Sequence, residues 1–250
     1  MKALVTGATS GIGRKIAENL HRRGWELILT GRNKEVLDAV SVSLGGCEVI
    51  AADLSEKSEV LKVYDFCRGK NIDMLVNNAG FGVFGRFAET DLDKELEMIN
   101  VNISAVHILM KLFLRDFKER DSGIILNVAS SAAFLTGPLM SSYYASKSYV
   151  LKLSAAVSEE LRREGSKVKI CVFCPGPVDT DFNNRAGVSF SMKPISAEYA
   201  AEYAVKSALS GKLIALSGLM VKIGVFGARF VPHKLTARLV YDMQERKKGI

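Results

Sequence analysis

Two phenols and an ammonium group stand close together in the run Tyr143-Tyr144-Ala145-Ser146-Lys147. On a helix, positions i, i+3 and i+4 share one face, so Lys147 can lie beside either ring and share a proton task with it. A free phenol, with a pKa of about 10, exchanges its proton too rarely near neutrality to serve as a base, and a neighbouring ammonium favours the phenolate. The chemistry open to such a pair is acid/base work on an oxygen whose charge changes, such as a carbonyl being reduced. Spacing by itself leaves Tyr143 and Tyr144 as alternatives.

A second group of residues suits a different task. The run Thr6-Gly7-Ala8-Thr9-Ser10-Gly11-Ile12-Gly13 lies between a strand-like segment and an amphipathic helical one. Glycines there let the backbone turn tightly and approach a pyrophosphate, whose charge the helix N-terminus favours. The Gly-x3-Gly-x-Gly spacing is one residue looser than the usual dinucleotide fingerprint. With this loop, three further motifs occur in order: Asn77-Asn78-Ala79-Gly80, Tyr143 with Lys147 as YxxxK, and Pro175-Gly176 followed by Val178 and Thr180. In these four features the sequence resembles the short-chain dehydrogenase/reductase family, from the N-terminus to about Leu216.

The resemblance implies a Rossmann-type fold and a nicotinamide cofactor held by Gly7, Thr9, Ser10, Gly11, Ile12, Gly13, Asn78, Ala79 and Gly80 on one side. Pro175, Gly176, Val178 and Thr180 are implied beside the nicotinamide, and Asp53 with Leu54 near the adenine. It also resolves the pair of phenols. The family places its tyrosine four residues before the lysine and a serine about thirteen before the tyrosine, which selects Tyr143, Lys147 and Ser130, with Ser131 a lesser alternative. Tyr143 is then the general acid/base, Lys147 its electrostatic partner and ribose anchor, and Ser130 the donor to the carbonyl oxygen. The family's fourth member, an asparagine associated with a proton relay, falls on Asn102 rather than Asn100 by its distance from Asn77-Asn78-Ala79-Gly80. At the end of the second strand, Gly31 occupies the place of a carboxylate that would bond the ribose hydroxyl of NAD, and Arg32 follows it. An arginine there pairs with a 2′-phosphate, so NADP(H) is expected.

The elements that must position these groups are legible as an alternation. Strand-like runs at 2–6, 26–30, 47–51, 74–76, 124–128, 168–173 and 212–216 are separated by helical runs at 12–23, from 33, at 57–68, 92–118, 142–163 and 196–209. Apolar strands divided by helices indicate an α/β fold: a doubly wound, seven-stranded parallel sheet with helices on both faces, in one domain over residues 1–250. Residues 181–195 form an unusually long connection, expected to act as a substrate loop. Phe81, Phe84, Phe87, Leu139, Met140, Phe182, Phe190 and Met192 are expected to wall an apolar pocket suited to a lipophilic ketone or secondary alcohol. Arg86 and Arg185 leave an acidic or sugar-like substrate open.

Residues 219–250 depart from the commonest family pattern. They carry Lys222, Arg229, Lys234, Arg238, Arg246, Lys247 and Lys248 against Asp242 and Glu245, a net +5 of the chain's +7. Leu235, Leu239, Tyr241 and Met243 interleave with these charges at helical spacing, which indicates an amphipathic tail. A helix packed on its own chain is the simplest outcome; pairing with a second subunit or contact with anionic lipid also suits the pattern. A homodimer through the helices around Asn102 and Tyr143 is expected.

No charged-then-apolar leader precedes Lys2, and the long uncharged stretch 123–146 is broken by Gly137, Pro138 and serines, so a cytoplasmic protein without a membrane span is expected. Cys171 and Cys174 form a CxxC within an apparent strand, where i and i+3 face opposite ways, which argues against a shared metal or redox role. No basic stripe interleaved with aromatics occurs outside the tail, so nucleic acid is not an expected partner. Two other functions fit less well: a cofactor-binding regulator would not need Ser130, Tyr143 and Lys147, and NAD-dependent alcohol oxidation conflicts with Gly31 and Arg32.

Overall fold

The computed structural model describes residues 1–180 and 194–245. Strands β1 (Lys2–Thr6), β2 (Glu26–Gly31), β3 (Glu48–Ala51), β4 (Met74–Asn77), β5 (Ile124–Val128) and β6 (Lys169–Cys174) run parallel in one sheet. Two short strands, β7 (Val178–Asp179) and β8 (Ile195–Ser196), pair separately, and β9 (Ile214–Leu216) closes the main sheet, whose order is β3-β2-β1-β4-β5-β6-β9. The direction of winding reverses between β1 and β4. A crevice opens there beyond the carboxyl ends of the strands, where open α/β sheets bind ligands.

Alternation along β1 divides the core. Ala3 and Val5 pack beneath α1 (Gly11–Arg22) and α2 (Lys34–Ser43), whereas Leu4 faces α3 (Lys57–Cys67) and the long helix that follows β4. Helix ends fall where side chains satisfy free amides: Asn33 accepts from Val36 N at 3.0 Å and Asp91 from Lys94 N at 2.9 Å. The Cys171 thiol lies in one core cluster and Cys174 in another on the far face of β6, as the strand geometry required.

The helix expected over 92–118 is three pieces: α4 (Leu92–Ile99), a π-helical turn (Asn100–Ala105) and α5 (Val106–Glu119). Leu92–Glu119 is long and apolar enough to cross a membrane, but Leu109, Met110, Phe113 and Phe117 are buried against the sheet and α3. The remaining helices are α6 (Ser141–Arg163), α7 (Ala197–Leu209), α8 (Leu219–Ala228) and α9 (His233–Glu245).

Within the described residues, the last two helices pack on their own chain. Thr236, Val240 and Gln244 are buried, whereas Leu235, Leu239 and Met243 remain about half exposed. Within the expected substrate loop, Phe182, Arg185, Phe190 and Met192 lie outside the described residues. The pairing of Val178–Asp179 with Ile195–Ser196 fixes the two ends of that connection.

Candidate active site

The crevice at the β1/β4 switch continues into a single cleft of about 620 Å³ that reaches α8 and α9. The glycine loop forms one end. Gly7 and Gly11 have φ of +64° and +54°, a region costly for other residues. A Cβ on Gly7 would stand 2.8 Å from the Ala79 backbone, so this glycine lets the two loops meet. Ser10 caps α1 without a side-chain hydrogen bond, and the helix has no acidic residue in its first turn. Unneutralised amides thus face the cleft beside an available hydroxyl, an arrangement that suits a pyrophosphate.

Gly13 does not line this space. A Cβ there would fall 2.2 Å from Asn78 Nδ2 and 2.3 Å from Gly7 O, so the residue is small to let α1 lie on the sheet. The structure gives this glycine a packing role. Thr6, which opens the motif, organises both loops. Its Oγ1 donates to Val76 O at 3.2 Å and accepts from Asn78 N at 2.9 Å and Ala79 N at 3.0 Å. Asn78 Nδ2 in turn donates to Thr6 O at 3.0 Å.

Thr9, Ser10, Gly11, Ile12, Ala79 and Gly80 all border the cleft, as do Pro175, Gly176, Val178 and Thr180 on its other flank. Thr180 packs where a Cβ on Gly11 would lie 3.3 Å from its methyl, so the segment after β7 closes on the glycine loop. Asp53 and Leu54 form the distal wall. Asp53 Oδ1 accepts from Ser55 N at 3.0 Å and Ser55 Oγ at 2.8 Å. This turn precedes α3, whose N-cap is Glu56. Arg32 also borders the cleft but is held by Glu97, with Nη1 to Oε1 at 2.8 Å.

At the other end the catalytic candidates converge. Ser130 forms a hydrogen bond with Tyr143, and its Oγ accepts from Ala132 N at 3.1 Å to begin the 3-10 turn Ser131–Phe134. Ser131 is instead tied by its backbone to Pro175 O at 2.7 Å, so Ser130 is the serine that meets the phenol. Lys147 Nζ lies 5.8 Å from the Tyr143 ring centroid and donates to Val128 O at 3.1 Å.

The expected lowering of the Tyr143 pKa is not found. Burial pushes it well above the ordinary phenol value and outweighs the opposing hydrogen bond from Ser130; the neighbouring Tyr144 raises it further. Burial likewise pushes the Lys147 ammonium down to about 8, against a smaller opposing effect of Cys174. Desolvation thus shifts both groups toward their neutral forms, yet an ammonium with a pKa of about 8 stays mostly charged near neutrality.

Asn102 lies behind this wall in the π-helical turn, fully buried, while Asn100 faces solvent. Its Nδ2 donates to Phe81 O at 2.9 Å and Ser146 Oγ at 3.1 Å, and its Oδ1 accepts from Phe81 N at 3.1 Å. The side chain therefore braces the loop after β4 against α6. A Cβ on Gly80 would lie 2.8 Å from Asn102 Oδ1 and 3.2 Å from Lys147 Nζ, so a glycine is required where these groups meet.

Of the expected pocket walls, Phe81 and Met140 line the cleft, while Phe84 packs behind them and Leu139 is buried outside it. Phe87 is 68% exposed and takes no part. The sequence did not single out Val221, Val225, Thr236, Val240 or Gln244 as wall residues, yet all border the space. Gln244 Nε2 donates to Tyr144 Oη at 2.8 Å. The second phenol therefore anchors the tail while the first faces Ser130.

The chain is similar to known proteins over most of its length. The family model for short chain dehydrogenases matches residues 1–188. A very-long-chain 3-oxoacyl-CoA reductase from Anas platyrhynchos is 39% identical over 65% of this chain and 55% of its own length, so the match spans little more than half of that relative. A solved short-chain dehydrogenase from Sphingobium yanoikuyae in complex with NADPH superposes with a TM-score of 0.83 at 29% identity, over 92% of this chain and 93% of that one. A short-chain dehydrogenase/reductase from Burkholderia phymatum in complex with NAD gives 0.80 at 25% identity, over 90% and 91%. On the family match and the shared fold, the chain belongs to the short-chain dehydrogenase/reductase family.

Proposed function

We propose that the protein is an NADPH-dependent carbonyl reductase acting on a lipophilic ketone, or on the corresponding secondary alcohol in reverse. The observation that carries this reading is the buried Tyr143 phenol, hydrogen-bonded to Ser130 and with Lys147 nearby, at the floor of a largely apolar cleft. A reduced nicotinamide held between the glycine loop and the segment around Pro175 and Val178 would supply the hydride. Ser130 orients the substrate oxygen, and the Tyr143 O–H donates a proton to that oxygen as it gains charge. A phenol that burial keeps protonated is suited to the acid role, which favours the direction of reduction. Lys147 stabilises the phenolate left behind. The duck relative's name refers to a carbonyl on a very long acyl chain, which agrees with an apolar site.

For the cofactor, the relatives bind either NADPH or NAD, and Gly31 with Arg32 favours the phosphorylated form. Arg32 must then share or exchange Glu97 for the 2′-phosphate. Exposed pairs of this kind contribute about 0–1 kcal/mol, so the exchange costs little.

Turnover is tested by following NADPH absorbance against ketones graded by size and polarity. Tyr143→Phe should lower kcat by roughly 100-fold or more while NADPH binding, read by fluorescence, stays within about twofold. Tyr144→Phe should retain most activity; equal loss in both variants, or none in the first, would overturn the assignment. For cofactor choice, Arg32→Ala should weaken NADPH far more than NADH, and Glu97→Gln should tighten NADPH by up to about fivefold with NADH unchanged. Parallel shifts for both cofactors would refute the preference.

A further inference from the structure

Helix α8 is apolar on nearly every side. Val221 and Val225 turn toward the cleft, whereas Leu219, Ile223 and Phe226, with Phe230 one turn beyond, are 57–73% exposed. At the helical repeat these four fall within an arc of roughly 60°. Phe226 and Phe230 meet edge to face with centroids 5.4 Å apart, so they present one continuous apolar ridge. Leu235, Leu239 and Met243 of α9 are each 48–56% exposed, the last two at the rim of the cleft. Elsewhere on the described surface, exposed large apolar side chains are dispersed, apart from Leu92 and Leu96 one turn apart on α4.

The charges beside this ridge decide what covers it. Lys222, Arg229, Lys234 and Arg238 are exposed and make no ion pair among the described residues. A second copy docking through a twofold axis would bring this cationic set against itself, which is repulsive. An anionic bilayer meets both demands, because apolar side chains enter the acyl boundary while cations remain among the phosphates.

We propose that α8 and α9 dock the protein peripherally on an anionic membrane surface, with Leu219, Ile223, Phe226 and Phe230 inserted and the four cations at the headgroups. This docking does not depend on the reaction assigned above.

The test is co-sedimentation of the full chain with vesicles of phosphatidylcholine alone or of equal parts phosphatidylcholine and phosphatidylglycerol. Binding is expected only to the mixed vesicles and should weaken with added salt. Combining Phe226→Ser with Phe230→Ser should reduce partitioning at least about tenfold, and each of Lys222→Gln and Arg229→Gln by about fivefold. None of these side chains borders the cleft, so melting temperature and turnover of a water-soluble ketone should be retained. Ile223→Ser provides an independent variant if the double one fails to fold. The proposal is overturned if the unaltered chain does not co-pellet with mixed vesicles or if the serine variants bind as well as it does. It is also overturned if the ridge proves to join two copies in vesicle-free solution, an association the serine variants would abolish.

Discussion

Lys147 carries an ammonium into a site where only 6% of the residue is exposed. Its folded pKa of about 8 lies below the 10.5 of an unperturbed lysine, so folding disfavours the proton. Below pH 8 the charged form is buried at a cost of about 3 kcal/mol, which is relieved as pH rises toward the unfolded value, because the unfolded chain then holds more protons. Lys147→Met should abolish turnover yet flatten this rise. Urea midpoints measured from pH 7 to 10 should climb more in the unaltered protein than in the variant, and identical slopes would refute the account. The candidate residues were legible through the family resemblance, whose four-residue step from tyrosine to lysine selects Tyr143 over Tyr144. The sense of the Tyr143 pKa was not: sequence supplies the neighbouring ammonium but gives no measure of burial, which here prevails.

The strands and most helices follow from apolar period and capping residues, with limits within a few positions of those observed. Contacts between elements are another matter. Asn77 Nδ2 donates to Asn127 Oδ1 at 2.9 Å, and Asn127 Nδ2 to Ser154 Oγ at 2.8 Å, so a buried polar chain fixes α6 against β4 and β5. Nothing in local spacing links these three residues. The π-helical turn is similarly hidden, although two asparagines in mid-helix signal that something unusual occurs there. Gly176 shows how one element admits another: a Cβ there would stand 2.7 Å from Val221 Cγ2. Gly176→Ala should therefore displace α8 at a strain of about 1–3 kcal/mol and lower kcat/KM by about tenfold. Adding Val221→Ala should restore most of the loss; a double variant no better than the single would show that the methyl acts on something other than α8.

At the scale of the molecule, alternating strands and helices specify a sheet with one binding edge, and the ordered motifs place the cofactor loop and catalytic helix along it. The tail resisted the same logic, because its helices face two environments. Leu235, Leu239 and Met243 stand at helical spacing, yet the buried face is Thr236, Val240 and Gln244, with Leu239 and Met243 at the half-exposed rim of the cleft. Among the described residues, the cations of the tail, Lys222, Arg229, Lys234 and Arg238, are all exposed on α8, α9 and the turn between them.

The hydrogen bond from Gln244 to Tyr144 joins residues 100 positions apart. During synthesis, when folding proceeds from the N-terminus, β9 and the complete seven-stranded sheet can form before α9 has left the ribosome. The sheet and the phosphate loop thus mature first. The cleft acquires its final wall only when α9 docks on that sheet, a closure that involves just the short stretch of chain between β9 and α9.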